Sequence, residues 1–301
     1  MPVVPPWTEP LVRAYTACER LAQSHYENFP VASRLLPRRM RPHIAAVYAF
    51  ARGADDIADE GEAAPGERQE RLRDWRRRLH DAAGIDRCGN PSRLDDDLVF
   101  VALGHTIRSF DLPVSLFDDL LSAFGQDTMT NRYASWRDLL DYCRRSANPV
   151  GRLVLRIAGY RDDALDRSSD ALCTALQLTN FWQDFGRDWR AGRLYVPRDV
   201  MHAAGAREDQ LDGAVLPPEW TRALEDCVDF TTARYAEGRR VCDGTRGRLR
   251  YELRLTWLGG RRILERITAD RSRLLQHRPV LGAADVAPLA WRLSTWKGAA
   301  A

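Results

Sequence analysis

Two short runs of this chain place carboxylates where they repel one another. Tyr48, Arg52, Asp55 and Asp59 fall at i, i+4, i+7 and i+11 in the first run. Gln177, Asn180, Asp184 and Asp188 fall at i, i+3, i+7 and i+11 in the second, which extends to Pro197. Helical residues three and four apart are neighbours at about 5–6 Å between Cβ atoms, so each set lines up as one stripe on a helix. Asp55 with Asp59, and Asp184 with Asp188, are then like-charged i, i+4 pairs that ask for a counter-charge. A hard divalent cation with oxygen ligands is the natural one. Mg²⁺ is usually shared between one or two carboxylates and substrate phosphate. One such pair alone is more often a solvated helix face. The clusters Asp95-Asp96-Asp97, Asp118-Asp119 and Asp162-Asp163 are read here as surface or capping residues. Two pairs, each extended by polar side chains along its stripe, are much harder to attribute to chance.

The chemistry that fits is departure of diphosphate. Metal ions neutralise charge growing on the leaving oxygens, and arginine adds a fixed fork suited to phosphate. A carbocation would remain, needing an apolar aromatic wall that excludes water. Phe50, Phe181, Trp182 and Phe185 are candidates for that wall, although each is individually more typical of core packing.

The elements that must carry these residues read as helices throughout. Apolar residues keep helical spacing over 10–25, 42–60, 67–82, 95–110, 113–127, 136–157, 168–188, 219–242, 248–270 and 287–296. An interruption is expected near Pro149, and 190–200 is expected to be a loop. Residues 67–82 carry a narrow apolar seam of Leu72, Trp75 and Leu79 and should lie on the surface. No β-alternating run, Gly-rich phosphate loop or internal repeat is present. The expectation is an all-α single domain, 1–301, of about ten helices, with residues 1–9 a poorly ordered lead-in.

Composition narrows the class further. The chain has 301 residues, 45% hydrophobic and 29% charged, with a formal net charge of +3. That is ordinary globular composition. The arginines are spread along the chain and form no tail or block, so nothing argues for nucleic acid. The six cysteines form no Cys-x-x-Cys pair and no metal spacing with histidine, which suits reduced thiols of a cytoplasmic protein. No signal peptide is expected, and no apolar run approaches the ~20 residues of a spanning helix.

The two stripes, followed by Gly-Arg-Leu-Tyr-Val-Pro at 192–197, resemble the squalene/phytoene synthase family. Arg132-Tyr133 and Tyr142-Cys143 with Val150-Gly151 fit the same family. Within it, Glu27–Pro37 and Tyr142–Gly151 resemble the hydroxysqualene synthase branch of bacterial hopanoid biosynthesis. The resemblance, running from about Cys18 to Trp296, implies an α-helical bundle around one central cavity. It also implies a Mg²⁺-dependent lyase that ionises presqualene diphosphate, releases diphosphate and captures the rearranged cation with water. Asp55 and Asp59 would hold Mg²⁺ on one wall, and Asn180, Asp184 and Asp188 on the other. Arg52 would contact the diphosphate, Tyr48 and Gln177 would line the site, and Tyr142 would sit at the reacting centre. Arg193 and Tyr195 would belong to a flap, and Asn28 lies in the stretch that holds a diphosphate in condensing relatives.

The departures from those condensing relatives bear on function. Tyr26–Pro30 replaces a serine-rich stretch, Gln183 stands where arginine is frequent, and Ala147-Asn148 where the family has Ala-Gly. These changes weaken a second diphosphate site and suit capture of the cation by water, for which Asn148 and Arg144 are candidates. His25 is a lesser one. Head-to-head condensation of two prenyl diphosphates is the alternative reaction. Other enzymes of the squalene/hopanoid pathway are conceivable partners. A long hydrocarbon product needs an apolar exit, so peripheral contact with the inner membrane is compatible with this reading, but no basic amphipathic helix stands out.

Overall fold

A computed structural model describes residues 7–24, 35–59, 61, 63–84 and 98–297. Asn28, His25, Cys88 and most of the Glu27–Pro37 signature lie outside the described residues. Among these residues the fold is all-α, with one isolated parallel bridge between Arg132 and Leu194 in place of any strand. The chain divides into two compact units, one of Met1–Met129 with Leu153–Arg161, the other of Thr130–Arg152 with Asp162–Ala301.

The first unit is built from α1 (Glu9–Ser24), α2 (Arg41–Asp59), α3 (Pro65–Ala83), α4 (Leu98–Phe110) and α5 (Val114–Asp127). Its core is aromatic. Phe50 meets Phe117 edge-on at 5.5 Å and Phe100 at 6.1 Å between centroids, while Trp75 meets Phe100 at 4.7 Å. Phe50 is fully buried there, a packing residue and not a cavity wall. Helix α3 buries Leu72, Leu79 and Ala82 and exposes its charges, as its seam requires, and Gly84 ends it in the left-handed conformation at φ 78°. A polar knot ties α1, α2 and α4 together. The Tyr15 hydroxyl lies 3.0 Å from His43 Nδ1, 2.8 Å from His105 Nδ1 and 2.9 Å from Thr106 Oγ1.

The second unit contains α6 (Trp136–Ser146), the start of α7 (Asn148–Ile157), α8 (Asp163–Gln183), α9 (Phe185–Arg190), α10 (Arg198–Ala203), α11 (Pro218–Gly244), α12 (Gly247–Ala269) and α13 (Ala283–Ser294). The antiparallel pair α8 and α11 is its spine. Ser168 donates to the Glu237 carbonyl and accepts from the Val241 amide, Thr179 pairs with the Tyr235 hydroxyl at 3.0 Å, and Trp182 donates to Thr231 at 2.9 Å. Gly238 makes the close approach possible, because a Cβ there would stand 2.6 Å from the Leu172 amide nitrogen. Buried polar groups inside the interface are therefore matched, as burial demands.

The expected interruption near Pro149 is real. The chain turns at Ala147 (φ −116°, ψ −46°) between α6 and α7. Helix α6 starts from a reciprocal cap in which Ser135 and Asp138 satisfy each other's backbone amides. Ser135→Ala is expected to cost about 1 kcal/mol, read as a lower urea midpoint at unchanged slope. The cysteines Cys18, Cys143, Cys173, Cys227 and Cys242 are free thiols.

Candidate active site

In the first unit, α2 is unbroken, so Tyr48, Arg52, Asp55 and Asp59 keep their stripe. Arg52 reaches Asp55 at 3.4 Å and Asp56 at the shorter distance of 2.6 Å. Asp56, one position off the stripe, was not singled out by the sequence reading. The i, i+4 spacing from Arg52 was the available signal.

In the second unit the acidic stripe bends. Helix α8 stops at Gln183, and Asp184 (φ −91°, ψ 8°) joins it to α9. One continuous helix over 168–188 is therefore corrected to two. The stripe survives because the bend keeps the helical bonds, Asp184 N to Asn180 O at 2.8 Å and Asp188 N to Asp184 O at 2.9 Å. Asn180 Nδ2 donates to Asp184 Oδ2 at 2.9 Å. Gln177 is half-buried one turn earlier.

Asp184 has a partner that the sequence did not reveal. Arg278, 94 positions away, donates Nε to Oδ1 at 2.5 Å and Nη2 to Oδ2 at 3.3 Å. The approach depends on Gly186, where a Cβ would overlap the Leu275 carbonyl oxygen. Arg190 donates to that same carbonyl at 2.9 Å, and Gln183 donates to the Pro279 carbonyl at 2.5 Å. The segment after α12 is thus stitched onto the bend.

Asp188 is only 13% exposed, and Arg193 reaches it at 3.4 Å. Burial pushes its pKa up to about 6; Arg193 opposes the rise and Asp184 adds to it. Two neighbouring carboxylates, one of them with its charged form penalised by burial, are what a bound cation would relieve. Asn180, Asp184 and Asp188 offer hard oxygen atoms on one bent stripe, a donor set that fits Mg²⁺. Among the described residues, no three His, Cys, Asp or Glu residues are grouped as they would be around an ion.

Beside the stripe sits an aromatic cluster that gathers separate sequence candidates. Tyr195 stacks on Phe181 at 3.8 Å and 7° between planes. Tyr133 lies 5.8 Å from Tyr195 and 5.6 Å from Tyr142, which in turn lies 6.1 Å from Phe181. Trp182 and Phe185 belong elsewhere, Trp182 buried against Trp136 and Thr231, Phe185 against Trp220. The flap segment is tied down. Leu194 N donates to Asn131 O at 3.0 Å, Arg198 N to Tyr133 O at 3.0 Å, and Arg132 bridges the Gly192 carbonyl and Glu208. The Arg132 hydrogen bond holds the Glu208 carboxyl below its usual range. Asn148 is buried and accepts from Thr174 at 3.0 Å, while Arg144 lies half-exposed in an ion pair with Asp141.

The squalene/phytoene synthase family model matches residues 22–285. A hydroxysqualene synthase of Zymomonas mobilis is 44% identical over 186 residues, 62% of this chain and 59% of that protein. Another, of Rhodopseudomonas palustris, is 36% identical over 214 residues, 71% of this chain and 69% of its own. The match to the Zymomonas protein thus spans less than two thirds of that relative's length. The crystal structure of a squalene synthase from Alicyclobacillus acidocaldarius superposes with a TM-score of 0.79 at 40% identity, over 87% of this chain and 96% of that one. With the family model spanning most of the chain and the helices following a solved member, the chain belongs to the squalene/phytoene synthase family.

Proposed function

We propose that this protein is a Mg²⁺-dependent hydroxysqualene synthase. It ionises presqualene diphosphate, and water closes the reaction: the water oxygen becomes the hydroxyl, one proton is released and diphosphate leaves. The observation that carries the reading is the bent stripe of Asn180, Asp184 and Asp188 beside the Tyr133, Tyr142, Phe181 and Tyr195 cluster. Similarity to proteins named hydroxysqualene synthases supports the choice of substrate.

In this reading Asp55 and Asp59 supply oxygen ligands for Mg²⁺ on α2, and Asn180, Asp184 and Asp188 supply them at the bend. Bound Mg²⁺ would supply Lewis-acid stabilisation of the departing diphosphate. Arg52 and Arg193, each now resting on a carboxylate, turn their guanidinium forks to phosphate oxygens when substrate arrives. Tyr48 and Gln177 line the diphosphate end. The stacked rings of Phe181 and Tyr195 present π-faces that stabilise a nearby carbocation, and Tyr142 sits at that centre.

The second reading is head-to-head condensation of two prenyl diphosphates. It is favoured by the 40% identity to a solved squalene synthase. One assay separates them. Purified protein with Mg²⁺ and no reductant should convert presqualene diphosphate to an alcohol that carries ¹⁸O from labelled water, detected by mass spectrometry. Turnover of farnesyl diphosphate alone would sink the leading reading.

A further inference from the structure

The second unit contains a concavity that none of the stripe residues lines. Arg239 on α11, Trp257, Arg261 and Glu265 on α12, and Arg292 and Trp296 at the end of α13 enclose about 340 Å³, with Lys297 at the edge. Its charge is unbalanced. The single carboxylate in the lining, Glu265, is already bonded by Arg292 at 2.9 Å and Arg262 at 3.1 Å. Arg239 and Arg261 meet no carboxylate among the described residues. Instead the Arg239 guanidinium lies 4.2 Å over the Trp296 ring and 5.2 Å from Trp257, and Arg261 lies 5.8 Å from Trp257. Arg239 donates to the Lys297 carbonyl, yet its Nε is buried with no hydrogen-bond partner among the described residues. A buried donor left unmade is costly, and guanidinium forks on aromatic faces are suited to phosphate. This lining of guanidinium groups on tryptophan faces suits an anion.

Helix α13 says where that anion comes from. It is pinned by one buried carboxylate and one leucine. Asp285 receives Arg262 at 3.0 Å, Arg266 at 2.8 Å and the Gly282 amide at 2.8 Å, and Leu289 is buried beside it. A surface helix normally turns polar residues outward. This one turns out Ala283, Val286, Ala287, Ala290 and Trp291, with Val286 66% and Trp291 70% exposed. Arg292, the next residue, lines the cavity, so a single turn supplies both an exposed indole and a cation. Tryptophan favours the membrane–water boundary, and exposed apolar patches rimmed by polar residues mark contact surfaces.

We propose that this pocket takes the phosphate of an anionic phospholipid while the outer side of α13 lies in the bilayer interface. Arg239 and Arg261 hold the headgroup, Trp257 and Trp296 wall it, and Val286 and Trp291 enter the acyl boundary. The inference does not depend on which prenyl diphosphate the enzyme uses.

Co-sedimentation of the full chain with vesicles tests it, with no substrate present. Binding is expected to phosphatidylglycerol–phosphatidylcholine vesicles and not to phosphatidylcholine alone, and to weaken as salt rises. The double variant Arg239→Gln with Arg261→Gln should partition more than about tenfold less. Trp291→Ser should also lose binding at unchanged Tm, since an indole this exposed contributes little to the fold. Equal binding to both vesicle types would overturn the proposal, as would wild-type binding by both variants. A thermal shift with inorganic phosphate that needs Arg239 and Arg261, without vesicle binding, would assign the pocket to a soluble anion and overturn the lipid assignment.

Discussion

Asp184→Ala is expected to lower Mg²⁺-dependent turnover of presqualene diphosphate by about a thousandfold, roughly 4 kcal/mol of transition-state stabilisation. Asp184 carries this effect because the bend in the stripe converges on it. Asn180 donates to one of its oxygens, Arg278 forks across both, and its charge helps to raise the pKa of buried Asp188. Alanine removes a metal ligand and also leaves Arg278 without this carboxylate, so a stability loss on the order of 1 kcal/mol accompanies the kinetic one. Melting temperature measured alongside product formation separates the two. Asp74→Ala is the control, since its carboxylate is 45% exposed and pairs with the well-exposed Arg77 on the outer face of α3. It should change turnover less than about twofold. Metal-dependent product formation that survives Asp184→Ala would remove the stripe from the mechanism while leaving the family membership untouched.

The second large effect is on stability and lies in the first unit. His43 is buried against Tyr15, Thr106, Phe110 and His105. Burial, helped by the nearby His105, lowers its pKa from 6.5 to about 4. His105 is lowered too, by burial and by Arg108. A histidine whose folded pKa is depressed binds its proton more readily when unfolded. Its contribution is therefore complete above about pH 6.5 and is lost as the pH falls towards 4. The loss from His43 amounts to at most about 3 kcal/mol. Urea midpoints for the native protein should fall steeply between pH 6.5 and 4.5. His43→Asn, which cannot take up that proton, should be less stable at pH 7 and show a flatter profile. An equally steep fall in the variant would place the acid sensitivity in other groups.

Much of the helical content was legible because period 3.6 repeats along most of the chain. The ten expected helical segments all appear among the described residues. The surplus of short helices arises where backbone geometry overrode periodicity. Beyond the expected interruption at Ala147, the chain breaks at Asp184, and α10 begins at Arg198, inside the stretch 190–200 expected to be loop. The break at Asp184 carries no proline or glycine at that residue to announce it. Its cause lies in the packing of Gly186 under the Leu274–Leu275 carbonyls, a contact with residues about ninety positions away. Helix α13 was expected over 287–296 and begins earlier, at Ala283, and periodicity did not show that most of its apolar residues point outward.

The sequence by itself determined the helices, both acidic stripes and the family, because these depend on residue type and on spacing within one turn or a few. It also separated Tyr142 and Tyr195 from the background of tyrosines. Tertiary structure alone decided what those groups touch. It set Arg278 on Asp184, gathered Tyr133, Tyr142, Phe181 and Tyr195 into one cluster, and placed Arg239 and Arg261 on tryptophan faces. Spacing along a helix fixes neighbours at i+3 and i+4. Contacts across tens of residues depend on how buried surfaces interlock, and no local pattern encodes that.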